Sequence, residues 1–286
     1  MEVSRALFGL GKKLEMEDPR VTIIIACYND EEYIEKAINS AIKQNYGGPL
    51  TVCVINDGST DGSWDLIAPV GEGVEKDTFD GEDVLIAYPD KTPSGISRKQ
   101  FSFPDRKLVI INRKNGGPSA ARNTGIRYTL EDTDIYAVLD SDDEMYPDKI
   151  HRCVSVMKKD MSSIGVVYAD YDTYHTSTNK TIREFKEPYS RRRLLEECMV
   201  HSGSIINKQA LVDVEEDTGF YDSTMRTCED YDLWMRISEK YVIAHVAEAL
   251  TLVRVTGDNS SFIVNQEIWN RNWSRVMEKL QRRANA

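Results

Sequence analysis

Four apolar runs, spaced so that a helix or a loop fits between each pair, constrain this chain more than any other feature. Residues 21–26 (VTIIIA) are a continuous, mostly β-branched run, the pattern of a strand buried on both faces of a parallel sheet. Ile34, Ala37, Ile38, Ala41 and Ile42 then recur on one helical face. Asn29 or Asp30 is expected to cap that helix, Glu31 and Glu32 suit its first turn, and Gly47-Gly48 should stop it. The second run, residues 50–55, ends at Asn56-Asp57-Gly58. Strand, helix, strand is a crossover unit, which predicts parallel, adjacent strands. Asp57 then stands at the C-terminal strand edge, where open α/β sheets bind ligands.

Residues 71–106 interrupt the rhythm with Gly, Asp, Lys and Pro around one short apolar piece, and read as an inserted loop or small hairpin. A third strand is predicted at 108–112. It leads into Asn115-Gly116-Gly117-Pro118, a glycine turn with proline placed for a first helical position. The helix start offers backbone N–H groups, and Arg122 on its first turns is placed to meet an anion; the plainer alternative is an ordinary helix entry with a surface arginine.

The fourth run, residues 136–139, ends in Asp140, Asp142 and Asp143. Carboxylates crowded on one strand end repel each other, so they suit a cation or hydroxyl donors. A calcium loop of the EF-hand kind fails, because Met145 and His151 stand where Gly and Glu are needed. Magnesium or manganese shared with a phosphate fits better. No P-loop and no Gly-x-Gly-x-x-Gly opens a helix after any of these strands, so a nucleotide would have to bind by other means.

The second half is mixed. A helix is predicted at 147–157, a strand at 164–168, a hairpin over 171–185 and a strand at 202–206, elements able to line an acceptor groove. Arg191, Arg192 and Arg193 read as a solvated basic face in preference to a contact with an anionic acceptor. In residues 228–237, Leu233, Trp234 and Ile237, with Tyr241 beyond, make a buried helical face, and Asp230 lies on it one turn earlier. By residues alone Asp230 is better read as a cap than as a placed functional group. Residues 266–286 form a basic amphipathic helix. Packing on the domain or on a second copy is the preferred reading, and peripheral attachment to an anionic membrane is the alternative.

Composition narrows the class. The chain has 286 residues, 41% hydrophobic, with net charge −11, which disfavours a general nucleic-acid binder. Five cysteines without Cys-x-x-Cys spacing, some inside apolar runs, point to reduced core thiols and a reducing, cytoplasmic setting. Residues 1–20 lack a signal-peptide core, and no run of eighteen uncharged apolar residues occurs.

Five segments in register, ACYNDEEYIEKAINSAIKQNY, VCVINDGSTDGS, NGGPSAARNTGI, VLDSDD and CEDYDLWMR, resemble the family-two glycosyltransferases of GT-A fold, which are inverting and metal-dependent. The resemblance implies an α/β, Rossmann-like, mostly parallel sheet with helices on both faces. It implies a tail (1–20), a nucleotide-sugar half (21–146), an acceptor half (147–261) and a closing helix (262–286). It implies a UDP-sugar donor, Mn²⁺ or Mg²⁺, and a glycan, lipid-linked or other hydroxyl acceptor for a hexosyl or N-acetylhexosaminyl group. Tyr28 and Asp57 match positions that hold the base, Asp140 a ribose or metal-water contact, and Asp142 the direct metal ligand. Ala26, Arg122 and Ser141 complete the donor-contacting set. Asp230 matches the general base, which reverses the cap reading, and the positive helix end is expected to keep it ionised. One departure is Thr256 where the family often carries His; Asp258 or Arg254 is the candidate replacement. A sugar-phosphate nucleotidyltransferase and a non-catalytic nucleotide-sugar-binding module are the competing readings.

Overall fold

The computed structural model describes residues 17–68, 74–87, 106–257 and 266–285. Most of the expected tail, positions 71–73 and 88–105 of the insertion, and Asp258 therefore lie outside the described residues. Strands β1 (Val21–Cys27) and β2 (Leu50–Asn56) are parallel and in register from Val21↔Leu50 to Cys27↔Asn56. The crossover between them is helix α1 (Ile34–Ile42), whose buried residues are the five apolar positions of the periodic face. The helix starts later than expected and has no side-chain cap at Tyr33. Asn29 is left-handed at φ 57° and its side chain instead receives the Thr60 N–H at 2.7 Å, while the Asp30 carboxylate accepts from Ser141. The polar residues that end β1 thus tie three strand ends together. The helix also stops at Ile42, ahead of the glycine pair.

After the short helix α2 (Ser63–Ile67) the insertion forms a hairpin, β3 (Glu75–Phe79) and β4 (Glu82–Ala87). Asp80 and Gly81 both have positive φ, as a tight hairpin turn of this kind requires. β4 pairs antiparallel with β5 (Arg106–Asn112), which starts two residues before the predicted strand and pairs parallel with β2. Helix α3 (Pro118–Thr129) leads to β6 (Ile135–Asp140), parallel to β1 with Ala26 opposite Asp140. The pleat sends Ile23 and Ile25 into the apolar layer with α1, and Ile24 into the layer on the other face.

The sheet continues into the second half without a break. The remaining strands are β7 (Glu144–Met145), β8 (Ile164–His175), β9 (Lys180–Glu184), β10 (Ile205–Asn207) and β11 (Val242–Val255), giving the order β3-β4-β5-β2-β1-β6-β10-β8-β11-β7 with β9 on β8. β10 runs antiparallel to both β6 and β8, so its leading residues, 201–204, arrive at the edge where β6 ends. β8 runs on into the hairpin, longer than the predicted 164–168.

Helix α4 (Lys149–Met157) packs beneath β8 and β11. Short helices α5 (Arg191–Leu194) and α6 (Lys208–Val212) precede α7 (Glu229–Ile237). A Cβ at Gly165 would lie 2.7 Å from Ile237 Cγ2, so the end of α7 packs directly on the β8 backbone. Arg192 and Arg193 pair with neighbouring glutamates, in keeping with a solvated face. Helix α8 (Gln266–Ala284) folds back on α7, with Trp273 stacked on Tyr231 at 4.6 Å and Val276 buried. No described helix is long and apolar enough to cross a membrane.

Candidate active site

The carboxylates that close β6 stand at the C-terminal edge of the parallel strands, beside the ends of β1 and β2. Asp143 is buried and accepts the Arg254 N–H at 2.8 Å; burial, with Asp140 and Asp142 beside it, raises its carboxyl well above the ordinary range. Burial together with Asp140 and Asp30 pushes the Asp142 carboxyl up to about 7. Asp140 behaves oppositely. Burial alone would raise it, but the Arg122 guanidinium, with His201 and the Ser202 hydroxyl, together more than offset that and hold it low. Ser141 sits between these acids and donates to Asp30.

A divalent cation at this edge would relieve the repulsion that Asp142 carries. Among the described residues no group of three or more His, Cys, Asp or Glu is arranged to hold an ion alone. Asp142 is the carboxylate at this edge that could hold such an ion, the remaining ligands of a hard cation coming from outside the chain. No geometry for such an ion follows from the side chains themselves.

Asp57 is 2% exposed at the end of β2. Its carboxylate receives Arg113 Nη1 at 2.8 Å, the Gly116 N–H at 3.1 Å and the Gly117 N–H at 2.7 Å. Gly117 has φ 89°, where a side chain would be strained, and this lets the turn fold around the carboxylate. The anion expected at the α3 entry is thus the chain's own Asp57. Ala26 lies one residue from the end of β1, and Tyr28 just beyond it is 49% exposed, an aromatic ring open at the strand edge.

Arg122 also finds its anions within the chain. Its Nη2 donates to Asp140 Oδ1 at 2.8 Å and its Nη1 to Glu229 Oε1 at 2.7 Å, with the guanidinium 5.3 Å from the Tyr221 ring. This buried bridge brings the start of α7 against the end of β6. Asp230 follows Glu229 directly. It is not the cap residue: Cys228 holds that place in a left-handed conformation without a side-chain cap, and Asp230 Oδ1 accepts the Tyr231 N–H at 2.7 Å. The expectation that the helix end keeps Asp230 ionised is corrected. Burial and the adjacent Glu229 push its carboxyl up to about 7, outweighing the helix dipole, which is worth under about 2 kcal/mol.

Two further residues at this edge escaped the reading of the sequence, and a third, Arg254, was read only as a replacement for Thr256. Lys149 is 2% exposed, donates to Thr251 Oγ1 at 2.6 Å, and burial lowers its ammonium to about 8 despite Asp143 and Asp140 nearby. A lysine one place ahead of the α4 apolar face looks like a surface residue in the sequence. His201 packs against Tyr171 with ring centroids 4.6 Å apart and the rings tilted, and burial, with Lys149 nearby, lowers its imidazole to about 3. Arg254 donates to the Asp142 carbonyl at 2.5 Å and to Glu144, 5.0 Å from the Tyr33 ring. Of the two replacements considered for Thr256, Arg254 is therefore at the acidic edge.

An α/β sheet with carboxylates on the C-terminal ends of its parallel strands, and a second acid delivered by a helix from the mixed half, has the architecture of a GT-A fold. Residues 22–78 and 87–214 match Glycosyl transferase family 2, and the chain belongs to that family. It is a glycosyltransferase. An uncharacterized glycosyltransferase of Rickettsia prowazekii (strain Madrid E) is 24% identical over 277 residues, covering 94% of this chain and 74% of the relative. A chondroitin synthase of Escherichia coli is 26% identical over 262 residues, covering 91% of this chain but 32% of the synthase. In fold, S. aureus TarS 1–349 in complex with UDP-GlcNAc superposes with a TM-score of 0.62 at 17% identity, over 91% of this chain and 65% of that one. The mannosyltransferase PcManGT from Pyrobaculum calidifontis, in complex with GDP-Man and Mn²⁺, gives 0.54 at 18% identity, over 85% of this chain and 59% of that one.

Proposed function

We propose that the protein transfers a hexosyl or N-acetylhexosaminyl group from a UDP-sugar to a hydroxyl of a glycan, lipid-linked or other acceptor, with inversion and with Mn²⁺ or Mg²⁺. The observation that carries this reading is the Arg122 bridge, which joins the strand-end Asp140 to Glu229 and so sets Asp230 beside the donor edge. Tyr28 stacks on the uracil ring and Asp57, already fixed by the glycine turn, faces the base. Ala26, Ser141 and Asp140 flank the ribose and diphosphate, while Arg122 holds Asp140 in place. Asp142 is the carboxylate that would hold the ion, whose positive charge stabilises the departing diphosphate.

Asp230 takes the proton from the acceptor hydroxyl as its oxygen bonds to the anomeric carbon, on the face opposite the breaking bond to UDP. A carboxyl near 7 suits that role, because it is substantially ionised at neutral pH yet basic enough to accept a proton. Five unpaired thiols support a reducing, cytoplasmic setting. The test is calorimetric titration of UDP with and without Mn²⁺, on wild type and Asp142→Asn. We expect the metal to raise UDP affinity at least about ten-fold in wild type and to have no effect in the variant. Equal UDP affinity with and without metal in wild type would overturn the assignment.

A further inference from the structure

Beyond Asp140, on the side away from the β1 and β2 ends, two hydrogen-bond donors converge on one aromatic ring. The residues leading into β10 lie against the end of β6, with the Val138 N–H donating to the Ser204 carbonyl at 3.3 Å and Ser202 Oγ to Asp140 Oδ2 at 3.1 Å. His201 comes next along that edge, and across it lies Tyr171 of β8, its ring 4.6 Å away. The Gly203 N–H donates to His201 Nδ1 at 3.0 Å. A neutral imidazole so held carries its proton on Nε2, and that N–H has no hydrogen-bond partner among the described residues.

Lys186 supplies the second donor. Its ammonium lies 5.1 Å from the centroid of the same Tyr171 ring, and its backbone N–H is tied to Asp170 Oδ1 at 2.9 Å. The chain has 47 acidic residues against 36 basic ones, yet no carboxylate lies within ion-pair distance of Lys186 among the described residues. An ammonium held over the ring that the imidazole also packs against, in so acidic a chain, is an arrangement that suits an incoming anion.

We propose that His201 Nε2–H and the Lys186 ammonium form an oxyanion-binding subsite on the acceptor side of Asp140, so that the acceptor carries a carboxylate or a phosphate ester near its reacting hydroxyl. This rests on reading the site as that of a glycosyltransferase. The mixed half then selects an acceptor by charge as well as by shape, although the protein as a whole is acidic.

The test uses the full chain saturated with UDP and Mn²⁺, titrated by NMR with methyl β-glucuronide, glycerol 1-phosphate and neutral methyl β-glucoside. At least one anionic probe should bind about ten-fold more tightly than the glucoside, the scale of a charge-assisted hydrogen bond. Whichever anion binds identifies the group as carboxylate or phosphate. Lys186→Met keeps the stem over Tyr171 and should abolish that preference, and His201→Phe should weaken it while keeping the ring contact; UDP affinity should hold in both. Equal affinity for all three probes would overturn the proposal. So would a parallel loss of UDP affinity in Lys186→Met, since the donors would then serve the diphosphate. Failure of the wild-type chain to bind UDP would instead count against the donor site, and the same titration without nucleotide still decides whether the subsite exists.

Discussion

Asp230 is the residue whose two readings make opposite forecasts. Asn and Asp are nearly equal at helix starts, and the amide oxygen can still accept the Tyr231 N–H, so a purely structural role forecasts little change in rate for Asp230→Asn. As general base, its loss should slow transfer by two or more orders of magnitude, about the range known for such groups. The carboxyl is raised from its unfolded value near 3.9 to about 7, so the native state binds the proton more tightly and ionisation opposes folding between those values. Stability from this group is therefore present below pH 4 and lost as pH rises through 7. Asp230→Asn should melt with wild type near pH 4 and above it at pH 8, while wild-type transfer rises with pH to a plateau above 7. Near wild-type turnover in the variant would move the base to Glu229, since Asp232 is fully buried and paired with Arg236 and Lys279.

At the scale of elements, α7 carries the candidate base, and α8 holds α7 in place through charge as well as packing. Lys279 reaches Asp232 at 2.9 Å, Asp222 at 3.1 Å and Glu216 at 2.7 Å; Asp232 is fully buried, where it also pairs with Arg236 at 2.9 Å. Removing one cation from a buried network leaves carboxylates poorly compensated. Lys279→Met should destabilise the fold by about 3–5 kcal/mol, read as a lower urea midpoint with an unchanged slope. A shift below about 1 kcal/mol would show that α8 is held by Trp273 and Val276 alone. Arg122 follows the same logic between α3, β6 and α7, so the glycine-turn helix and the helix of the candidate base form one unit.

For the whole molecule, α8 decides between packing and membrane attachment. Arg275, Lys279 and Arg283 all pair with carboxylates of this chain, and the Trp273 and Val276 stripe lies against it. Ile268 and Trp269 remain outward on α8, each 38% exposed, but on a protein whose net charge of −11 is repelled by anionic lipid. The chain should stay in the supernatant when sedimented with phosphatidylserine vesicles at about 0.15 M salt. Sedimentation with the vesicles would support the membrane reading. The two halves of the chain share one unbroken sheet.

The parallel strands, the buried face of α1 and the edge acids were legible in the sequence because they are set by local periodicity and by where an apolar run ends. β1 and β2 are buried on both faces, so their composition alone announces them. The turn at Asp80-Gly81 was equally local and its signal was there to be read. What only the tertiary structure decided is pairing over distance. Asp57 is bound by a turn some sixty positions away, and Arg122 by Asp140 and Glu229, so both anion sites expected for a ligand are filled from within. The burial of Lys149, the tautomer of His201 and the raised carboxyl of Asp230 follow from which segments surround them. Residue types set the chemistry available at each position, and desolvation and charge in the folded chain set the form in which it is held.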